Sequence, residues 1–173
     1  MRGRLMPLLP LASSLLIVAV VVSPLYVFEG TTSGRVGLAS YTVRVLGVDV
    51  RVDPLERPRP LVLAILVAPI QVALILLLLP FRPRLARRLL VGASYNIVLS
   101  ASLAWALIGR LVSDVVSKLL AREVVGTNMG YIVLGPTRME PTLVGRLWPL
   151  LLGASMLLAA AYIVYGGEGE EGK

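Results

Sequence analysis

The sequence predicts an all-α membrane protein: a four-transmembrane-helix bundle with a small β-containing cap and an extended third helix. Three observations carry that reading. Hydrophobic residues are 57% of the 173 and charged residues only 16%, against roughly 25% charged in an average soluble domain. The apolar residues gather in four runs, each close to the ~20 residues a membrane helix needs. Between the first and second runs, and again between the third and fourth, helical periodicity gives way to strand-like alternation.

The first predicted helix ends with the apolar run 5–28 and is preceded by the basic segment "MRGR", so the first unit is 1–28. A retained helix is favoured over a cleaved signal peptide. The run exceeds a typical signal core, and no small-x-small cleavage site follows it cleanly. The second helix covers 60–81. Pro60 suits its start, Pro80 marks its end, and Pro69 is expected to kink it. A basic connector, 82–88, holds Arg82, Arg84, Arg87 and Arg88. The third helix crosses the membrane over 89–109 and is expected to continue to Val125. Leu111, Val112, Val115, Val116, Leu119 and Leu120 form an apolar stripe opposite Arg110, Asp114, Lys118 and Arg122. A straight helix from 89 to 125 is about 55 Å long, far longer than the ~30 Å hydrocarbon core. The fourth helix covers 146–165, with Trp148 at one end and Tyr162 and Tyr165 at the other as an expected aromatic belt. The tail 166–173, "GGEGEEGK", has the composition of a disordered segment.

Loop 29–59 contains "YTVRVLGVDVRVD". Tyr41, Val43 and Val45 share one parity; Val48, Val50 and Val52 share the other. A strand has a side-chain period of two, so one regular strand cannot hold both sets on one face. The phase changes at Leu46–Gly47, which predicts a bulge, a bend or a tight hairpin turn at Gly47. Arg44, Asp49, Arg51 and Asp53 take the polar positions. Loop 126–145 holds a short apolar strand from Tyr131 to Leu134, ended by Gly135–Pro136. A hairpin alone is marginal, so the two loops and the extended third helix are expected to build one cap of about three strands. Tyr41, Arg44, Gly47, Asp49, Arg51 and Tyr131 are its candidate interaction residues.

The layout is similar to that of claudin-type tetraspan proteins, which also have four spans, a strand-bearing first loop and a helix extending out of the membrane. The tryptophan- and cysteine-containing first-loop signature of that type is absent, and no family assignment follows.

The chain has no cysteine and no histidine. That excludes disulfides, thiolate nucleophiles, His- or Cys-based triads and the common haem, copper and zinc ligands. The carboxylates Glu29, Asp49, Asp53, Glu56, Asp114, Glu123 and Glu140 each have basic neighbours in sequence and no ligand spacing. No catalytic, cofactor or metal residue is therefore assigned. The net charge of +7 reflects arginines that flank apolar runs and anchor helices, a better account than nucleic-acid binding. Scarce asparagine, no cysteine and frequent Glu, Arg and Pro are compatible with a hyperthermophile.

Within the spans, Gln71 and Asn96 are the best-placed pair for a hydrogen bond between helices two and three, and with Ser100 they are packing or solute-path candidates. Gly92, Ala104, Gly109 and Ser113 on helix three, with Ser155 and Ala159 on helix four, offer small faces for helix association. Four spans place both termini on one side. The dense connector arginines favour the cytoplasm for that side, although a raw count of basic residues favours the loops. The leading expectation is a non-enzymatic structural or assembly subunit of the cell membrane. Its partners would be the bilayer and other membrane proteins, in a homo- or hetero-oligomer. The alternative is a small oligomeric channel or transporter using Gln71, Asn96 and Ser100. A lipid-modifying enzyme is third.

Overall fold

The computed structural model of the chain describes residues 6–49, 59–113, 124–127, 130–133 and 136–167. Those residues form four helices and seven strands: α1 (Leu8–Val22), β1 (Tyr26–Gly30), β2 (Thr32–Val36), β3 (Tyr41–Val45), β4 (Val48–Asp49), α2 (Arg59–Leu78), α3 (Pro83–Leu111), β5 (Val124–Thr127), β6 (Gly130–Val133), β7 (Pro136–Pro141) and α4 (Leu143–Gly167). The molecule is mostly helical with a small antiparallel sheet. Three helices, over Pro60–Leu78, Pro83–Leu111 and Leu143–Gly166, are long and apolar enough to cross a membrane.

The first apolar run divides. Helix α1 has 15 residues, about 22 Å at 1.5 Å each, short of the ~30 Å core. Its last helical bond runs from Ser23 N to Ala19 O. Pro24 disfavours a helical conformation at the residue before it and offers no N–H of its own. Leu25 N then donates to Val36 O at 2.8 Å, and the sheet begins. Tyr26, Val27 and Phe28, expected in the first span, therefore belong to β1.

The third helix also departs from expectation. It starts earlier, with Pro83 in the first-turn position that proline tolerates, so Arg84, Arg87 and Arg88 lie on it. Its buried positions Ala86, Leu90, Ala93, Ile97, Ala101, Ala104 and Ile108 recur at three- and four-residue steps. It ends at Leu111. The expected continuation to Val125 is corrected at its far end: Val124 and Val125 pair with Val133 and Ile132 in a separate β5–β6 hairpin. Two β-branched residues followed by Gly126 favour extended chain over helix. Residues 114–123 lie outside the described residues.

The chain divides into two compact units. The first contains residues 1–18, 63–104 and 149–173. Its buried residues include Ile17, Ile65, Leu90, Ile97, Leu152 and Tyr162. Here Ser13 and Ser155, both fully buried, join α1 to α4: Ser13 Oγ donates to Ser155 O at 2.7 Å, and Ser155 Oγ donates to Ser13 O at 3.1 Å. Tyr162 is 1% exposed, so it does not belong to the expected aromatic belt. Tyr165 is exposed.

The second unit contains residues 19–62 and 105–148. Its five-stranded sheet has the order β4-β3-β2-β1-β7. Neighbours pair antiparallel throughout. Phe28, Thr32, Val36 and Val43 share the buried side, whereas Glu29, Arg35, Thr42 and Arg44 share the exposed side. The expected third cap strand is corrected: Tyr131 lies in β6 opposite Gly126, outside this sheet. Its place on the sheet edge belongs to β7, whose register runs from Tyr26↔Pro141 to Gly30↔Pro136. Prolines at both ends of β7 suit an edge strand. Trp105 and Trp148 meet edge-to-face, with ring centroids 4.9 Å apart.

The phase change at Gly47 is a hairpin turn. Val45 pairs with Val48, leaving Leu46 and Gly47 as a two-residue loop. Both have positive φ, 50° and 85°, as a type I′ turn requires. Leucine is poorly suited to that conformation, and Leu46 is 81% exposed. Leu46→Asn is therefore expected to stabilise the protein by about 0.5–1 kcal/mol. Thermal denaturation in detergent reads the effect, and a lowered melting temperature would count against this turn.

Candidate functional site

Two places gather polar side chains. The first is the exposed face of the five-stranded sheet. Strand alternation and register bring its charges together across all five strands. Arg44 lies between Ser33 and Asp49, Arg35 pairs in register with Val27 and Thr42, and Glu29 is opposite Arg138. Arg44 Nε donates to Asp49 Oδ1 at 2.7 Å. That hydrogen bond and the attraction of the carboxylate raise the already high pKa of Arg44. Arg138 Nη2 lies 2.6 Å from Glu140 Oε1. Both pairs are exposed and add little stability. Arg35 has no ion-pair partner among the described residues. An open groove of about 540 Å³ runs over this face, lined by Glu29, Ser33, Arg35, Ser40, Tyr41, Thr42 and Arg44 among others.

The second place is a cleft of about 320 Å³ between α2 and α3. Asn96 Nδ2 donates to Gln71 Oε1 at 2.9 Å. Ser100 lies one turn beyond Asn96 and lines the same cleft, together with Ala64, Val67, Ala68, Leu99 and Leu103. The lining carries no charged side chain.

The remaining sequence candidates separate clearly. Ala104, Ser155 and Ala159 are buried within the chain's own fold. Gly92 and Gly109 are exposed, with no heavy atom within 4 Å of a Cβ built on either. Ser113 is exposed, and its hydroxyl donates to Arg110 O at 3.1 Å. Tyr41 and Arg44 line the sheet groove, whereas Gly47 and Asp49 lie at the hairpin end. Arg51 lies outside the described residues, as do Asp53, Glu56, Asp114 and Glu123. Among the described residues no group of three or more metal-ligating side chains is gathered.

Sequence reasoning missed Arg35, Ser33 and Arg138. The first two lie in "TSGRV", where glycine and serine read as a turn. Arg138 lies in "PTRMEP", where two prolines conceal a strand. The available signal was the polar alternation Ser33–Arg35 and Arg138–Glu140. Compared with models of known protein families and with curated proteins, the chain matches none.

Proposed function

We propose that this protein is a multipass component of the cell membrane that acts as a non-enzymatic structural or assembly subunit, with α1 crossing beside α4 as a short fourth span and both termini therefore cytoplasmic. The exposed sheet face would bind partner membrane proteins, and the open helix surface at Gly92 and Gly109 would pack against neighbouring helices. The observation that carries this reading is the open groove over the sheet, whose charged and hydroxyl side chains lie beside Pro24, Val27 and Phe28. It sets Arg35, which has no ion-pair partner among the described residues, amid hydroxyls and charges of both signs. Complementary charge on a partner would select that partner and fix its register. Gentle extraction, followed by identification and stoichiometry of the co-purifying chains, tests the reading. Arg35→Glu is expected to lower the partner yield while leaving membrane insertion intact. A partnerless monomer would refute it.

The α2–α3 cleft favours a second reading, a small oligomeric channel or transporter. Gln71, Asn96 and Ser100 share one space there. On that reading, Asn96→Leu or Gln71→Leu abolishes solute flux through reconstituted vesicles without altering assembly.

A further inference from the structure

We infer that a second copy of this chain docks on the α2–α3 cleft, with the Asn96 and Gln71 amides of the two copies meeting across a two-fold axis. This rests on the assembly reading and names the partner at one of its surfaces. The cleft holds unused hydrogen-bonding capacity. Each carboxamide offers two N–H donors and an oxygen with two lone pairs, and the Asn96–Gln71 bond engages only one of each. Asn96 is exposed and Gln71 half-buried. Ser100 lines the cleft, and its hydroxyl, open rather than enclosed, has no hydrogen bond among the described residues. Ser94 and Ser102, on the same helix, return theirs to Leu90 O at 2.8 Å and Val98 O at 2.9 Å.

Depth decides what can engage these groups. At 1.5 Å per residue, Asn96 lies about 20 Å from either end of α3. Water and lipid headgroups stay at the interfaces, and an unpaired amide in hydrocarbon is costly. Two copies inserted the same way carry their amides at the same depth. A carboxamide both donates and accepts, so it complements itself across a two-fold axis. The uncharged lining introduces no repulsion between copies. One turn before Asn96, Gly92 has no heavy atom within 4 Å of a Cβ position, which leaves room for a close backbone approach.

The chain lacks cysteine, so single cysteines are clean probes. Gly92→Cys and Leu99→Cys, in native membranes under mild oxidation, are expected to give disulfide-linked dimers, because such bonds need Cα atoms within about 7 Å. Leu157→Cys, on an exposed part of α4, is expected to remain monomeric while still reacting with a membrane-permeant maleimide. Adding Asn96→Leu or Gln71→Leu to Leu99→Cys should weaken dimerisation roughly three- to tenfold. Absence of a cross-link at both Leu99→Cys in the cleft and Gly92→Cys one turn before Asn96 overturns the inference. If other chains still co-purify in that case, the assembly reading survives; if none do, both fail. Cross-links unaffected by Asn96→Leu, with solute flux abolished, also overturn it and assign the cleft to transport.

Discussion

Gly145→Ala is expected to destabilise the protein by about 3 kcal/mol or more. Gly145 lies in the first turn of α4, where an added Cβ would overlap the backbone carbonyl of Leu25. Neither side of that contact is free to move. Leu25 N donates to Val36 O at 2.8 Å, and Leu25 O accepts from Thr142 N at 2.9 Å. Thr142 caps α4: its Oγ1 accepts from Gly145 N at 3.0 Å and donates to Pro24 O at 2.6 Å. The obstacle is backbone, so no side-chain rotation relieves it. Either the start of β1 or the start of α4 must shift. Gly153→Ala is the control, since a Cβ there meets nothing within 4 Å. Alanine's helix propensity should make that variant neutral or up to about 1 kcal/mol more stable. Thermal melting of both variants in one detergent separates the cases. Equal melting temperatures would refute the close approach of α4 to Leu25.

The legible parts of this fold were those where period or polarity changed abruptly. The hairpin at Leu46–Gly47 was visible because alternation switched parity there. The Asn96–Gln71 bond was anticipated because these are the strongly polar residues of two apolar runs. Strand β1 was hidden for the opposite reason. "YVF" is as apolar as the helix before it, and hydropathy does not separate a buried strand from a span. The amphipathic stripe beyond Arg110 fitted a helical period, but Val124 and Val125 pair as a strand. The Ser13–Ser155 bond joins residues 142 apart. No local pattern specifies such a pairing, which depends on how α1 and α4 pack. The sheet groove was missed because it is assembled from three connected strands and their links, each with its own unremarkable local sequence.

Phe28→Ala should cost about 3–5 kcal/mol, in the range of buried aromatic truncations. It tests the division of the first apolar run directly. In β1, Phe28 is 1% exposed and pairs in register with Gly34 and Met139. A Cβ built on Gly34 would lie 3.2 Å from the tip of the Phe28 ring. The ring therefore occupies the space that the glycine leaves open across the strands, as aromatic residues do opposite sheet glycines. Removing it would open a cavity, and Gly34 supplies no side chain to fill it. Val27, the preceding residue, has the other parity and is half-buried, so Val27→Ala should cost much less. Were residues 26–28 the end of a lipid-facing helix, neither truncation would create a cavity. The two costs would then be similar and small. Melting temperatures of the two variants, with amide exchange of β1 and β2 as a local readout, distinguish the arrangements. Phe28→Ala should also accelerate exchange across the Phe28–Gly34 pair. A Phe28→Ala variant no less stable than Val27→Ala would refute the buried strand.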